Sequence, residues 1–198
     1  MLPENYDTLH GWCTRKKATV MMDYIRNLKP TLSVELGVFG GRSLLAIALE
    51  SKFQNPQSKV IGVDAWESNA SVEGSNDKAN DDWWSNINYT EIMNYASDLM
   101  KINNVNSVVE LWKAKSSDVS HKFKENSIDF LHQDSNHSEE ISCSEVELYW
   151  NKVRPGGLWV FDDVNWETTK KAQQLLLTKG YTEIYSETPR EWAIYKRD

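Results

Sequence analysis

The sequence has few cysteines, an excess of acidic over basic residues, and no long hydrophobic run. Its 2 cysteines, Cys13 and Cys143, lie far apart without metal-ligand spacing, so we expect reduced thiols. No apolar stretch approaches the roughly 20 residues of a membrane-spanning helix. Residues 1–12 also lack the charged-then-apolar pattern of a secretory signal. These absences predict a cytoplasmic protein that does not enter a membrane.

The charge balance argues against nucleic acid as a partner. The chain carries 22 basic and 29 acidic side chains, which gives a formal net charge of −7. A negative field repels phosphate backbones, and no basic run or aromatic–basic stripe offsets it. The apolar and charged fractions are those of a globular protein, and the length suits one domain. The 9 tryptophans are interpreted first as packing residues.

Short apolar runs alternate with amphipathic segments along the whole chain. Apolar residues at i, i+3, i+4 spacing predict a first helix over residues 14–28, which Pro30 ends. This alternation predicts one α/β domain over residues 1–198, with a doubly wound, mainly parallel seven-stranded sheet and a C-terminal antiparallel hairpin. The predicted strands are 31–36, 59–64, 107–112, 128–133, 157–162, 181–185 and 192–195, and the later helices are 42–49, 87–102, 138–152 and 167–178.

Residues 67–86 interrupt this alternation with a polar, turn-rich segment that ends in Trp83 and Trp84. A loop of this length inside a domain is usually either functional or disordered. We interpret it as a substrate loop that closes over the acceptor, with a disordered insertion as the alternative. On the first interpretation, deletion of residues 69–80 raises the acceptor KM more than it weakens cofactor binding.

A glycine-rich loop follows the first predicted strand. Gly37, Gly40 and Gly41 permit a tight strand-to-helix turn and a close approach of a ligand to the backbone. Asp64 ends the next strand, about 20 residues further on, where an acceptor for ribose hydroxyls is expected. The glycines could instead form only a turn. Because their spacing is not that of nicotinamide enzymes, and Glu35 precedes them, the loop favours a nucleoside cofactor without a pyrophosphate.

A second set of polar residues follows the fourth and fifth predicted strands. Asp134 ends one strand and Asp162 and Asp163 end the next, so neighbouring strands would bring three carboxylates to one rim. Without a counterion these anions would repel one another and raise each other's pKa. An all-oxygen set favours Mg²⁺, Mn²⁺ or Ca²⁺ as the resolving cation. The alternative is that Asp162 and Asp163 only cap the following segment.

This rim has the residues needed to activate a hydroxyl group. A hydroxyl bound to a divalent cation loses its proton more readily. His137 stands at a helix start, three residues after Asp134, and is the candidate base because its ordinary pKa lies near neutrality. A histidine at a helix start is also compatible with a structural role. His132 is interpreted as a packed side chain.

At these residues the chain resembles the class I S-adenosylmethionine-dependent methyltransferases. Residues 34–43 are similar to their first motif and residues 60–66 to their second. Residues 128–138 and 155–163 resemble a branch of small-molecule O-methyltransferases that includes metal-dependent sugar enzymes. The resemblance covers roughly residues 11–197. It implies a Rossmann-like methyltransferase fold, with S-adenosylmethionine and Mg²⁺ as cofactors.

The resemblance also implies roles for individual residues. Two residues depart from the family pattern. The family usually has glycine where Ser135 stands, which affects the turn that holds His137. It often has an acidic residue where Lys115 stands, which affects an adenine contact. The implied cofactor contacts are Glu35, Gly37 and Gly41 at the methionine end with Ser43 nearby, Asp64 at the ribose, Ala65 and Trp66 beside the adenine, and Ser116 at the adenine edge.

The sequence therefore predicts an O-methyltransferase in which Asp134 and His137 are catalytic and Asp134, Asp162 and Asp163 bind the metal. The expected partner is a hydroxylated small molecule, and a homo-oligomer stays open. The alternatives are a metal-free or N-methylating enzyme, in which the paired aspartates contact the substrate directly, and a non-catalytic cofactor-binding domain. A nicotinamide oxidoreductase is disfavoured by the glycine spacing.

Overall fold

Strands and helices alternate along the chain, and the described strands form one sheet. The computed structural model describes residues 1–74 and 78–198. The strands are β1 (Leu32–Leu36), β2 (Lys59–Asp64), β3 (Val109–Lys113), β4 (Ile128–Gln133), β5 (Val153–Phe161), β6 (Tyr181–Ser186) and β7 (Ala193–Arg197). The helices are α1 (Arg15–Leu28), α2 (Arg42–Gln54), α3 (Ser68–Ser71), α4 (Lys78–Ser85), α5 (Tyr89–Ile102), α6 (Ser116–Val119), α7 (Glu139–Tyr149) and α8 (Lys170–Thr178). Short 3-10 turns cover Glu4–Thr8, Ser120–Lys122 and Glu167–Thr169.

The sheet has the order β3-β2-β1-β4-β5-β7-β6. The first five strands in this order are parallel, while β7 runs antiparallel to both β5 and β6. The predicted doubly wound sheet with a C-terminal hairpin is therefore confirmed. Strand order reverses between β1 and β4, so the carboxyl ends of these two strands form the switch point where open α/β sheets bind ligands.

The predicted first helix closely matches α1. The side chain of Thr14 accepts a hydrogen bond from the Lys17 backbone at its start, and Lys29 ends it in the left-handed conformation with φ of 50°. Its apolar face is buried, with Ala18, Met21 and Ile25 fully covered. α1 packs on α2, so this face forms part of one of the two hydrophobic cores that flank the sheet.

The strand boundaries shift by up to four residues from the prediction, most of all in β5. β5 begins at Val153, four residues before the prediction, because the segment around Pro155 and Gly156 continues the strand through a register shift. A β-bulge accommodates the missing N–H of proline and the φ of +74° at Gly156. β3 begins two residues later than predicted. Helix α6 was not predicted, since four residues carry no clear periodicity.

The predicted substrate loop is partly helical, because α3 and α4 lie within residues 67–86. The side-chain amide of Asn136 donates hydrogen bonds to the carbonyl oxygens of Ala70, Ser71 and Glu73, at 3.1, 3.0 and 2.9 Å. These bonds attach the segment to the turn that follows β4. The part of the predicted loop at residues 75–77 lies outside the described residues.

Two smaller expectations can be compared with this fold. Cys13 and Cys143 are unpaired, as expected for reduced thiols. Across residues 1–74 and 78–198, none of the helices combines the length and the apolar character needed to cross a bilayer.

Candidate active site

A pocket of about 860 Å³ opens at the carboxyl ends of the parallel strands. Its walls bring together the glycine loop after β1, the end of β2, the turn after β4 and the end of β5, so the two sites predicted from the sequence share one cavity. Predicted residues in its lining are Gly37, Ser43, Asp64, Ala65, Ser116, Asp134, His137, Asp162 and Asp163. Within the described part of the chain, Glu35, Gly41 and Trp66 are outside this lining.

The glycine loop packs directly on the turn after β4. A Cβ atom on Gly37 would lie 2.0 Å from the carbonyl oxygen of Asp134, and Gly37 has a φ of +86°. Only glycine satisfies both conditions. The Asp134 backbone N–H donates to the carbonyl oxygen of Leu36 at 2.8 Å, which joins the ends of the two strands. Gly41, with φ of +82°, serves as the N-cap of α2 behind the pocket wall.

Asp64 holds the glycine loop in place. Its Oδ2 accepts hydrogen bonds from the backbone N–H groups of Val38 and Phe39, at 2.9 and 2.8 Å. Its Oδ1 accepts from the Trp66 N–H at 2.7 Å. Burial raises the pKa of Asp64, although these three hydrogen bonds act in the opposite direction. A carboxylate has about four acceptor positions, so at least one remains for a ligand.

The predicted adenine side has a mixed outcome. Ala65 and Ser116 line the pocket. Trp66 is buried instead, and its indole N–H donates to the carbonyl oxygen of Phe39 at 3.0 Å. Trp66 therefore supports the glycine loop from behind. Lys115, one of the two departures from the family pattern, forms an ion pair with Glu73 at 2.7 Å.

Glu35 is fully buried and pairs with His132 on the neighbouring strand. The two residues stand opposite each other on the parallel strands β1 and β4, both with no exposed surface. His132 Nδ1 lies 2.7 Å from Glu35 Oε1. Among the described residues, neither Glu35 Oε2 nor His132 Nε2 has a hydrogen-bond partner. The structure therefore places Glu35 behind the rim rather than in the cofactor pocket.

The acidic rim brings together the residues predicted from β4 and β5. His137 Nε2 lies 3.1 Å from Asp163 Oδ2 and 3.7 Å from Asp134 Oδ1. On the other side, His132 Nε2 lies 3.8 Å from Asp162 Oδ2 and 4.0 Å from Asp134 Oδ2. Asp134 thus lies between two groups, one with His137 and Asp163 and one with His132 and Asp162. In each group the three ligand atoms lie within 4.8 Å of one another.

Lys17 is a rim residue that the sequence analysis missed. Its ammonium group donates a hydrogen bond to Asp162 Oδ2, and only 4% of the residue is exposed. Burial acts to lower the pKa of Lys17, but the charges of Asp162 and Asp134 outweigh it and hold the pKa above its ordinary value. The sequence did contain a signal, namely a charged residue on an apolar helix face, because Lys17 lies four residues before Met21 on α1.

Lys17 makes the rim aspartates unequal. Burial acts to raise the pKa of Asp162, but Lys17 and His132 outweigh it and hold that pKa well below its usual range. The pKa of Asp134 lies well above its usual range because of burial and the nearby charge of Asp162. Burial also raises the pKa of Asp163, against the effect of His137. The expectation of three anions without a counterion is therefore wrong for Asp162, which already has a cation.

Ser135 stabilises the turn that carries His137. Its hydroxyl lies 2.7 Å from both carboxylate oxygens of Glu145, and the Gln133 amide donates to the same carboxylate at 2.9 Å. Burial raises the pKa of Glu145 to about 7. The serine that stands where the family usually has glycine thus anchors the turn to α7.

Four aromatic rings line one side of the pocket. We call Trp12, Phe39, Trp83 and Trp84 the aromatic wall; their ring centroids are 4.8 to 6.3 Å apart. Trp12 and Trp83 remain 63% and 46% exposed. Trp83 and Trp84 belong to the predicted substrate loop, whereas Trp12, which contacts them from the segment before α1, was not predicted. The wall combines three separate segments of the chain on one side of the cavity.

A family model described as a methyltransferase domain matches residues 34–164, which is more than half of the chain. The match runs from the middle of β1 to just beyond Asp163, and so includes both the glycine loop and the rim aspartates. The chain belongs to this methyltransferase family. The prediction of a class I S-adenosylmethionine-dependent methyltransferase is thereby confirmed. The match excludes α1, so the buried Lys17 of this methyltransferase lies outside it.

Solved structures with the same fold are similar to this methyltransferase at low sequence identity. The O-methyltransferase TomG from Streptomyces achromogenes, involved in tomaymycin synthesis and solved with SAM, is 13% identical with a TM-score of 0.70, covering 100% of this chain and 91% of TomG. An O-methyltransferase from Bacillus cereus solved with SAH is 12% identical with a TM-score of 0.67, covering 93% and 82%. A methyltransferase from Geobacter sulfurreducens is 13% identical with a TM-score of 0.66, covering 93% and 80%. A search of curated protein sequences gives no match.

Proposed function

We propose that this methyltransferase uses S-adenosylmethionine to methylate a hydroxyl group of a small molecule. The observation that carries the proposal is the shared pocket of about 860 Å³, which has Gly37 and Asp64 on one side and Asp134 and His137 on the other. Pockets of this size hold drug-sized ligands. The acidic rim offers proton acceptors at the place where an acceptor hydroxyl would meet the methyl group. The O-methyltransferases of similar fold support this choice of acceptor atom.

The residues that line the pocket fit the cofactor, although three of the predicted contacts, Glu35, Gly41 and Trp66, lie outside the lining. Asp64 retains an acceptor position for a ribose hydroxyl beside its three backbone bonds. Ala65 and Ser116 would border the adenine, and Gly37 and Ser43 would border the methionine end. Glu35 acts indirectly in this proposal, because it orients His132 instead of contacting the ligand.

His137 is the proposed base. When bound, S-adenosylmethionine supplies a methyl group whose bond to sulfur breaks as its bond to the acceptor oxygen forms. His137 Nε2 takes the hydroxyl proton, since it faces the rim and has no hydrogen-bond partner among the described residues. Asp163 lies 3.1 Å from that nitrogen and stabilises the positive charge that the imidazole gains. The aromatic wall gives this side of the pocket an apolar surface.

A divalent cation is the second form of the proposal, and the residues present fit it at one place. Asp134, His137 and Asp163 offer two carboxylates and an imidazole within 4.8 Å of one another. The two carboxylates suit Mn²⁺ or Mg²⁺, whereas the imidazole favours a transition-metal ion over Mg²⁺, and Ca²⁺ would require further oxygen ligands. Such an ion would make a bound hydroxyl more acidic. His137 would then be a ligand, and it could not act as the base at the same time.

The proposal is tested by ligand-induced thermal shifts followed by a methylation assay. Ligands that bind the folded state raise the melting temperature. We expect S-adenosylmethionine and S-adenosylhomocysteine to raise it and NAD to leave it unchanged. The absence of a shift with either sulfur cofactor would overturn the proposal. Assays on hydroxylated metabolites and matched amines then separate O- from N-methylation, and activity that survives excess EDTA excludes the metal-assisted form.

A shift without turnover on any acceptor would favour a cofactor-binding domain that does not catalyse. A cytoplasmic location, the small-molecule partner and a homo-oligomer stay predictions from the sequence.

A further inference from the structure

Lys17 lines the rim side of the pocket from α1, and its burial is unusual for a charged residue. Lysine is almost never fully buried unless it is paired. Here the pairing is with Asp162, on an element 145 residues away in sequence. The neighbours of Lys17 on the same helix face, Ala18 and Met21, are fully buried and apolar. The helix therefore inserts a single cation into the wall of the active site.

Stability alone does not account for this arrangement. The desolvation cost of a buried ion pair can exceed its electrostatic gain, so apolar residues at both positions are often at least as stable. Lys17 and Asp162 both line the pocket, where their charges act on whatever is bound. The Lys17 ammonium also lies 5.9 Å from the centre of the Trp192 ring, so an aromatic face covers one side of the cation.

The ion pair between Lys17 and Asp162 makes the two groups of possible metal ligands unequal, because Asp162 belongs to only one of them. His132, Asp134 and Asp162 form one group, and His132 is fully buried with an Nε2 atom that has no hydrogen-bond partner among the described residues. A divalent ion there would bind Asp162 beside the Lys17 ammonium, and the two like charges would repel. The second group, Asp134, His137 and Asp163, has no lysine against it at ion-pair distance in the described part of the chain.

We propose that Lys17 is a tethered cation of the acidic rim, which neutralises Asp162 and withholds it from divalent metal ions. Any metal held by the wild-type rim is then bound without Asp162. Loss of the ammonium group converts His132, Asp134 and Asp162 into a tighter metal site. This inference rests on the proposed function, which makes the pocket the active site. Metal binding can nevertheless be measured without cofactor, acceptor or turnover.

The test is a Mn²⁺ titration of the full chain, read by electron paramagnetic resonance of free Mn²⁺. Lys17→Met replaces the ammonium with an apolar group of similar length and should bind Mn²⁺ at least about tenfold more tightly than wild type. Lys16→Met is the matched control, because Lys16 is an exposed neighbour that pairs with Glu187. It should bind Mn²⁺ as wild type does.

Two further variants decide the ligand set. In Lys17→Met/Asp162→Asn the gain in Mn²⁺ affinity should disappear, because the released carboxylate is gone. This charge-balanced double variant should bind Mn²⁺ within about twofold of wild type. Lys17→Arg keeps the charge and should also resemble wild type, which guards against a Lys17→Met variant that fails to fold.

Unchanged Mn²⁺ affinity in folded Lys17→Met would overturn the proposal. So would Mn²⁺ binding weaker than wild type in folded Lys17→Met/Asp162→Asn, since Asp162 would then be a ligand despite Lys17. Tighter binding in Lys17→Arg would also contradict it, because charge could not be the cause. None of these results depends on methyl transfer, so failure of the proposed function is recognised separately, by the absence of a thermal shift with S-adenosylmethionine.

Discussion

Gly37 lies against the backbone of Asp134 with no room for a side chain between them. The ideal Cβ position on Gly37 is 2.0 Å from the Asp134 carbonyl oxygen and 2.6 Å from the Cα atom of Ser135. The glycine loop and the acidic rim are therefore one packed unit. Because the two are in contact, the distance between a bound cofactor and the rim is set by backbone packing at the switch point of the sheet.

Gly37→Ala is expected to destabilise the protein by more than about 3 kcal/mol, because the added methyl group overlaps backbone atoms that cannot rotate away. Gly180→Ala is the matched control. Gly180 has a similar φ of +82° but nothing within 4 Å of its Cβ position, so it reports the conformational strain alone. That strain costs about 1–2 kcal/mol. Urea unfolding of both variants measures the difference, and equal losses would refute the packing argument.

His137→Gln should lower kcat by about 10²- to 10⁴-fold, the usual contribution of a general base. The Kd for S-adenosylmethionine should stay within about twofold, because His137 lies on the rim side of the pocket. His121→Gln is the control, since His121 is exposed on the 3-10 turn after α6. Calorimetric titration with cofactor and single-turnover kinetics separate the two quantities. A parallel loss of cofactor affinity would show that His137 has a structural role.

Trp83→Ala should raise the acceptor KM about tenfold or more and leave the cofactor Kd nearly unchanged. The expected size follows from the roughly 2 kcal/mol that a well-packed aromatic contact contributes to binding. Phe53→Ala is the control, because Phe53 is 79% exposed on α2 and lies outside the pocket lining. Steady-state kinetics with an acceptor that the methylation assay finds give KM. Equal effects on acceptor and cofactor would argue against the aromatic wall as an acceptor surface.

Glu145→Gln should change the pH dependence of stability. Burial raises the pKa of Glu145 from 4.5 to about 7, so the folded protein retains this proton more strongly than the unfolded chain does. The contribution of Glu145 to the free energy of unfolding is fully present below pH 4.5 and is lost as the pH rises through about 7. The free energy of unfolding of wild type should therefore fall by about 3 kcal/mol relative to Glu145→Gln between pH 4.5 and pH 8.

Urea unfolding at several pH values measures this difference. Glu147→Gln, an exposed position on the same helix, should show no comparable change between pH 4.5 and pH 8. A difference between wild type and Glu145→Gln that does not vary with pH would mean that Glu145 has the same pKa in the folded and unfolded protein, so that its hydrogen bonds from Ser135 and Gln133 offset burial.

The order of elements and the main site residues followed from local patterns. Strand ends are marked by a change from apolar to polar residues, and parallel strands place such ends on one edge of the sheet. This is why Asp64, Asp134, Asp162 and Asp163 could be assigned to the pocket before any coordinates. The boundary of β5 was missed because Pro155 and Gly156 favour a turn locally, while pairing with β4 extends the strand.

The face on which a side chain lies was harder to predict. In a strand that is buried on both sides, apolar residues cover both faces, so alternation does not show which polar residue faces a ligand. Glu35 was placed in the cofactor pocket, whereas it pairs with His132 inside the sheet. Trp66 was placed beside the adenine, whereas it packs behind the glycine loop. Both side chains occupy the correct region but point away from the cavity.

The sequence by itself determined the fold, the methyltransferase family and the presence of an acidic rim, because each depends on patterns of neighbouring residues. The tertiary structure decided how the rim is charged. Lys17 and Asp162 are 145 residues apart, and their contact exists only because α1 packs beside the strand ends. A count of charges in the sequence treats all three rim aspartates alike. Their electrostatic interactions differ because these depend on distance and burial, which only folding sets.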